Sequence, residues 1–449
     1  TSRKELNDWI KTNYFVNKNF SYKAHFLKFI NRFFKKKIGI NSSNSRSTIY
    51  NYLNYKTGIF NYLINQFNKA KSFLRKKILK IKKVNIVLGQ NHLDINPSEI
   101  SSLIKSINSN IDIIISRNGY FHENQFCENK NLRDLNYDMT IYLMDLDELV
   151  DYLFKKNISH YITGFKIAYI DWDLEYVPNY YSSFVDFFDE IWTTNKITYQ
   201  AITKISKRIK LFNFPPFFDR NEFKNKKINT YGIKTHPNNV DFEKRNNYCF
   251  YTEVNFRDSL DKSNLSGSLN AFFKAFPQNS DCDDNNRVSF IIFIKNRHLN
   301  PLKFDYLKDS YEKDKRIKII ESNSNSFKEY EKLNCYVSLH RSCGYNSSIK
   351  KAYESNKSII HTGFGGHLDY CIGRDIYPIK FDYYQINPKS YKYWTDQRWA
   401  EPKIQDASIK MRNVFLNSQK YYDKKNISQN IIELNNKISH KLLKLLKYL

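Results

Sequence analysis

Between residues 339 and 370 the chain reads LHRSCGYNSSIKKAYESNKSIIHTGFGGHLDY. An apolar run, NCYVSLH (334–340), leads into a turn carrying a glycine, RSCGYNSS, and a helix-forming stretch, IKKAYES, follows. Such a strand-to-helix turn presents backbone N–H groups and the positive end of a helix to an anion. Phosphate is therefore the ligand class that His340, Arg341, Ser342, Cys343, Gly344, Tyr345 and Asn346 could cradle. One turn of this kind is weak evidence alone, because many α/β turns share its pattern. A second group of candidates, Asp171, Asp173 and Glu175, closes the run IAYIDWDLE. These acids could position an acceptor hydroxyl or act as acid–base groups, although acids so placed more often cap the next helix. His340, His361 and His367 recur near the turn. Metal-ligand spacing is absent along the chain, so they read as pocket or core residues, and no metal is expected. Cys343 is a conceivable nucleophile. No base accompanies it in the sequence, and a small filler is the plainer reading.

The elements that must position these residues can be read from apolar periodicity. KVNIVLGQ (83–90) is a strand ending at Gly89, followed by the helix-like PSEISSLIKSI. IDIIIS (111–116), MTIYLMD (139–145), FKIAYIDWDLE (165–175), FDEIWTTN (188–195) and RIKLFNF before Pro215 continue the strands, with LDELVDYLFKK and TYQAITKIS as helices between them. Solid apolar strands alternating with helices predict a parallel sheet covered on both faces. Residues 216–246 are polar and weakly periodic, as in a linker. A second series follows: NYCFYTEVN (247–255), helical SGSLNAFFKAF (266–276), RVSFIIFIKN (287–296), RIKIIES (316–322), NCYVSLH and KSIIHTG (357–363). The expected fold is α/β, with two Rossmann-like domains facing a cleft and ligands at the carboxyl ends of the strands. The expected divisions are a basic helical extension (1–83), an acceptor-side domain (84–216), a linker region (217–246), a donor-side domain (247–403) and C-terminal helices (404–449).

Bulk properties narrow the class. A chain of 449 residues is too long for one ordinary core, and 41% hydrophobic with 16% aromatic residues excludes a disordered chain. The net charge of +27 is unevenly spread: residues 1–83 hold 20 Lys or Arg against two acids. AHFLKFINRFFKKKI (24–38) and the stretch 59–83 read as basic amphipathic helices. They suit an anionic membrane surface, the plainer alternative being a packed helix with a basic outer face. Nucleic acid is not expected, since no recognised binding motif accompanies the charge. Six cysteines without a CxxC pair exclude a disulfide scaffold or zinc framework and fit a reducing compartment. No apolar run approaches the roughly 18 residues that span a bilayer. The reading is a cytoplasmic protein, peripheral at the inner face of the membrane.

Four ordered segments carry a resemblance to glycosyltransferase family 4, which has the two-domain GT-B fold. They are IAYIDWDLEYVP with FDEIWTTN, YTEVNFRDSLDKSNLSGSLNAFFKAF (251–276), the stretch from Tyr336 through NKSIIHTGFGGHLDY, and WAEPKIQDASIKMRNVF (399–415). The resemblance implies a retaining, metal-independent transferase with no cofactor. Its substrates would be a nucleotide sugar and a glycan or lipid-linked acceptor, in surface polysaccharide or lipopolysaccharide synthesis. It further implies two glutamates eight positions apart, one touching the donor sugar and one gripping the ribose, with a basic pair that neutralises the departing diphosphate. The implied acceptor side includes Gly89, Trp172 and Asp173.

This sequence departs from that pattern at the positions that matter most. Cys343 and Lys351 stand where the glutamates would, a weak acceptor and a pure donor replacing two carboxylates. Asn346 replaces a glycine, Leu143 a histidine, and DINPSE (94–99) a glycine-rich turn. Of the basic pair only Lys262 remains, with Arg257 near enough in sequence to add charge. Glu354, three residues after Lys351, lies on roughly the same helix face and is a candidate to stand in for the lost carboxylate. The expected function is glycosyl transfer. The alternative is a catalytically inactive GT-B protein acting as a binding module or as the partner of an active transferase.

Overall fold

The computed structural model describes residues 81–89, 97–107, 109–117, 137–155, 164–185, 187–207, 209–216, 248–278, 287–322, 333–393, 396–418 and 433–440. The basic extension, up to residue 80, and the linker region lie outside the described residues. So do Cys127 and Cys282.

The first sheet comprises β1 (Lys83–Leu88), β2 (Asp112–Arg117), β3 (Met139–Leu143), β4 (Phe165–Ile170), β5 (Glu190–Thr193) and β6 (Lys210–Asn213). Their order is β2-β1-β3-β4-β5-β6, with every pair parallel. Helices α1 (Pro97–Ile107), α2 (Leu146–Lys155) and α3 (Lys196–Ile205) connect the strands. β3 is buried along its whole length, which is why it reads as unbroken apolar sequence rather than as an alternation. The two-residue period still sorts its side chains. Val87, Tyr142, Ala168 and Ile170 share one core, whereas Ile86, Ile141, Ile167, Tyr169 and Trp192 share the core on the opposite face.

The second sheet comprises β7 (Tyr248–Asn255), β8 (Val288–Lys295), β9 (Ile317–Glu321), β10 (Cys335–Ser338), β11 (Ser358–Thr362) and β12 (Ile376–Ile379), in the order β12-β11-β10-β7-β8-β9. Its strands are parallel. From β7 the chain steps outward through β8 and β9. It then returns to the other side of β7 with β10 and steps outward again. Helices α4 (Leu265–Ala275), α5 (Pro301–Tyr311), α6 (Ser347–Glu354) and α7 (Ile404–Asn417) accompany these strands. The reversal between β7 and β10 opens a crevice at their carboxyl ends, where ligands bind in sheets of this order.

The strands read from sequence are all present, most with ends shifted by a residue or two, but the one read over 165–175 stops at Ile170, so that Asp171, Asp173 and Glu175 fall in the loop after β4. β12 and the antiparallel hairpin β13 (Phe381–Gln385) with β14 (Arg398–Pro402) were not among them. That hairpin follows the second sheet in sequence, yet Ile386, Tyr393 and Trp399 belong to the core of the first. A helical stretch at 433–440 touches both halves: Ile438 enters a core of the first sheet and Leu434 packs on a core of the second. Among the described residues no helix is long and apolar enough to cross a membrane.

Candidate functional site

The carboxyl ends of the two sheets face each other across a cleft of about 820 Å³. One wall carries Asp145, Asp171, Trp172, Asp173 and Thr194, the residues that follow β3, β4 and β5. The other carries Glu253 and Asn255 on β7, Lys295 on β8, and the turn from β10 into α6.

The walls touch at Asp171. Both of its carboxylate oxygens accept the backbone N–H of Tyr345, at 3.1 Å each. Asn195 Nδ2 donates to it at 2.9 Å, and so does the Thr194 hydroxyl. Asn195 also caps α3, its Oδ1 accepting from Thr198 N at 2.8 Å, so the loop after β5 is fixed before it reaches the carboxylate. Burial pushes the Asp171 carboxyl up to about 6, against the Thr194 and Tyr345 donors, which favour the charged form.

A second link runs through Asp173. Lys262 Nζ lies 3.0 Å from its Oδ2, and the Tyr391 hydroxyl donates to the same oxygen at 2.9 Å. Lys262 belongs to the helical turn Leu260–Ser263, which Ser259 caps. Burial alone would lower its pKa, but the charge of Asp173 leads a set of anionic neighbours that carry it well above the ordinary value. Beside this, the carboxylate of Asp147 is gathered by Tyr181, Lys392 and Tyr393. The loop before β14 is thereby tied to α2.

The turn into α6 is built around Asn346. Its backbone is left-handed, with φ 59°, a conformation that asparagine tolerates better than most residues. Its Oδ1 caps the helix by accepting from Ile349 N at 3.0 Å. The Tyr370 hydroxyl donates to the carbonyls of Tyr345 and Asn346 at 2.8 and 2.9 Å. Ser342 Oγ, in the lining, is buried with no hydrogen-bond partner among the described residues. A buried orphan hydroxyl at the floor of a cleft is what a bound ligand would satisfy.

Glu253 is the residue that the sequence reading missed. Lys295 Nζ approaches its Oε2 at 2.6 Å, and Ser348 Oγ donates to it at 2.5 Å. Burial raises the pKa of this carboxyl, but Lys295, then Lys351, then the hydrogen bonds outweigh it and leave the pKa below the usual range. A carboxylate close to the end of an apolar strand was the available signal. Lys295 and Tyr391 likewise belong to no local motif, whereas Thr194 and Asn195 close the segment FDEIWTTN without having been singled out.

The sequence candidates divide. Asp171, Trp172, Asp173, Arg257, Lys262, His340, Ser342, Cys343, Gly344, Tyr345 and Asn346 line the cleft. Gly89, Arg341, Lys351 and Glu354 do not. Gly89 is a packing glycine, since an added Cβ would come 2.3 Å from Glu148 Oε2 and 2.6 Å from Met144 Cβ. The Arg341 guanidinium pairs with Glu401 of β14 and reaches the Asp261 carbonyl. Lys351 acts on Glu253 from behind the lining. Glu354 is buried and pairs with Lys350 Nζ at 3.5 Å, so it turns away from the role suggested for it.

Behind the turn, Cys343 Sγ lies 3.3 Å from His367 Nδ1, and His367 Nε2 lies 2.7 Å from His361 Nδ1. The two nitrogens of His340 meet Ser338 Oγ at 2.9 Å and the Phe364 carbonyl at 2.8 Å. Burial lowers all three histidines, His340 and His361 to about 4 and His367 further, so the imidazoles are neutral near pH 7. Burial likewise pushes the Cys343 thiol up, so it is a thiol rather than an activated nucleophile.

No protein-family model and no curated protein matches this sequence. Solved structures do match. A glycosyltransferase from Rickettsia africae ESF-5 is similar at 12% identity and a TM-score of 0.52, covering 82% of this chain and 98% of that one. HepE of Anabaena, solved in complex with UDP, is similar at 10% identity and a TM-score of 0.50, covering 82% of this chain and all of its own. At this identity the likeness establishes architecture: two six-stranded Rossmann-like sheets facing a cleft, the GT-B fold of glycosyltransferases.

Proposed function

We propose that the cleft binds a nucleotide-diphosphate sugar and that the chain transfers the sugar to a hydroxyl of an acceptor. The observation that carries this reading is the group at the β7/β10 reversal. There the amino end of α6 meets Arg257, Lys262, Lys295 and the carboxylate of Glu253 in one lining. Backbone N–H groups and cations suit a diphosphate, and a carboxylate suits neighbouring sugar hydroxyls, to which it only accepts. The UDP bound by HepE, on a similar fold, supports a nucleoside diphosphate in this place.

In the transfer, the bond from the anomeric carbon to the diphosphate oxygen breaks and its electron pair leaves with the diphosphate. Lys262 and Arg257 stabilise the charge that develops there. The acceptor oxygen forms the new bond, and its proton passes to the leaving phosphate. The resemblance to family 4 supports a retaining course, and side-chain cations supply the electrostatics without a metal or cofactor. Asp171, Trp172 and Asp173 form the acceptor side. The basic stretch 1–83 supports work on a glycan or lipid-linked acceptor at the anionic inner face of a membrane, in surface polysaccharide or lipopolysaccharide synthesis.

Glu253 takes the place of the absent glutamates in this reading. It reaches the crevice from the strand rather than from the turn or helix, and it keeps its charge through Lys295 and Lys351. A second reading, a catalytically inactive partner or binding subunit, is favoured by one observation: the cleft's basic side chain Lys262 is already paired to Asp173 across the walls.

Titrating the purified chain with UDP, GDP, ADP, CMP, dTDP and their sugar conjugates, by calorimetry and thermal shift, tests the proposal. Selective binding of one nucleoside diphosphate is expected, with stabilisation of about 2.7 kcal/mol at a hundredfold excess over Kd. No response from folded protein would sink the transferase reading in favour of the partner subunit.

A further inference from the structure

We propose that His340, Cys343 and His367 form a binding site for a soft divalent cation, of which zinc is the best match, in the wall of the cleft. One ligand atom from each of these three buried side chains lies within 4.8 Å of the other two. Along the chain they are separated by 3 and 24 positions, so their spacing hides the group. The turn after β10 brings His340 and Cys343, and the loop after β11 brings His367.

The donor set is two imidazoles and one sulfur, the ligand chemistry that selects zinc over magnesium or calcium. Zn–S near 2.3 Å and Zn–N near 2.0–2.1 Å place tetrahedral S and N ligands about 3.5 Å apart. Cys343 Sγ and His367 Nδ1 are 3.3 Å apart, already close to that separation. The remaining ring nitrogens are engaged as metal-bound histidines require. His367 Nε2 meets His361, and His340 has the Phe364 carbonyl on one nitrogen and the Ser338 hydroxyl on the other. A cation would displace one of these two partners of His340 and leave the other to orient the ring. The surroundings are tight by construction. A Cβ on Gly365, whose φ is +135°, would come 2.5 Å from Cys343 Sγ and 2.7 Å from His367 Nδ1. A second feature sits beside the group: His361 Nε2 is buried with no hydrogen-bond partner among the described residues. That leaves the outer imidazole uncommitted on one side. His340 and Cys343 also line the cleft, so the site lies in its wall.

Binding converts the thiol to a thiolate: the Cys343 S–H bond breaks, a Zn–S bond forms from the sulfur lone pair, and the proton goes to solvent. The neutral imidazoles bind through lone pairs with no change in charge. The cation would fix the turn 341–346 against the loop 363–367 without entering the transfer step.

The test uses the full chain, stripped with a chelator and titrated separately with Zn²⁺ and Co²⁺. The expected result is one equivalent of zinc bound, about one proton released per zinc in calorimetry across two buffers, and a thiolate-to-cobalt charge-transfer band. Cys343→Ser, which keeps the side chain's size, should abolish that band. His367→Asn should weaken zinc binding by more than the ~10–100-fold typical of losing an outer-shell partner, and His361→Asn should fall within that range. Circular dichroism of each variant separates ligand loss from misfolding. Should a variant misfold, the proton count and the cobalt band of the parent chain still decide. Less than stoichiometric zinc, the absence of the thiolate band, or binding unchanged in Cys343→Ser and His367→Asn would overturn the proposal. The last of these would place the metal on other residues.

Discussion

Asp171 and Gly344 approach each other across the cleft so closely that the glycine has no room for a side chain. A Cβ at position 344 would lie 2.1 Å from Asp171 Oδ2, and the next N–H along, that of Tyr345, is donated to both oxygens of the same carboxylate. One acid thereby joins the end of β4 to the turn before α6. Gly344→Ala should destabilise the chain by about 1–3 kcal/mol, read as a lower urea midpoint. Combined with Asp171→Ala, the two effects should fail to add, with a coupling of about 0.5–3 kcal/mol. Simple additivity would remove the contact from the account.

The same carboxyl predicts a pH dependence. Burial raises Asp171 to about 6, above the ~3.9 of an unfolded aspartate, so the folded chain holds a proton that the unfolded chain has released between those values. Its contribution to stability is complete below pH 4 and is lost as pH rises through 6. Denaturant unfolding from pH 4 to 7 should therefore show a falling component in the parent chain that is absent in Asp171→Asn. Identical slopes in the two proteins would refute it.

Glu253 should matter for the ligand. If it accepts hydroxyls of a bound nucleotide sugar, Glu253→Gln weakens binding by about 10–100-fold, the loss of a charged hydrogen bond. Calorimetry against the nucleotide identified first is the measurement, and an unchanged Kd would assign Glu253 to packing alone. Lys262→Ala should leave Kd less affected and lower turnover by about 10²–10³-fold, as for removal of one donor that stabilises developing negative charge.

Restoring glutamates at the turn and helix should damage this protein. The space around Cys343 Sγ is closed by Gly365 and His367, and Lys351 helps keep the Glu253 carboxyl ionised. Cys343→Glu buries a larger, charged group without a partner. Lys351→Glu sets a second carboxylate near the first. The double variant should lose about 3 kcal/mol or more and gain no nucleotide affinity. Thermal melting with nucleotide titration checks both, and a stable variant with tighter binding would contradict the role given to Glu253.

Asn346 isolates a smaller effect. Asn346→Gly keeps the left-handed backbone accessible and should cost a few tenths of a kcal/mol, whereas Asn346→Ala loses both cap and conformation and should cost about 1–2 kcal/mol. Chemical unfolding of the pair measures the difference.

The framework was legible because buried parallel strands leave apolar runs such as MTIYL and VSFIIFIK that have few other interpretations. The turn at 341–346 was legible because a strand, a glycine and a helix follow one another in sequence. Glu253 was not, since nothing near it in the chain signals that Lys295 and Ser348 close on it from two other elements. His340, His361 and His367 were read as lacking ligand spacing and Cys343 as a small filler; the spacing is indeed absent along the chain, which does not constrain what the fold brings together. The tyrosines of 381–394 carry no local motif that marks them. Tyr391 and Tyr393 meet Asp173 and Asp147 across the cleft, contacts whose sequence separation exceeds 200 positions.

Trp399, Tyr393 and Ile386 complete a core begun by residues near position 87, and Ile438 enters the other core of the same sheet. On a ribosome, the first half would therefore leave the exit tunnel with part of its interior still wet. Its final closure would wait until the second half, as far as Ile438, had followed it. A chain interrupted after β6 would be an unfinished lobe rather than a free-standing one, and the stretch at 433–440 would act as a clasp between the two halves.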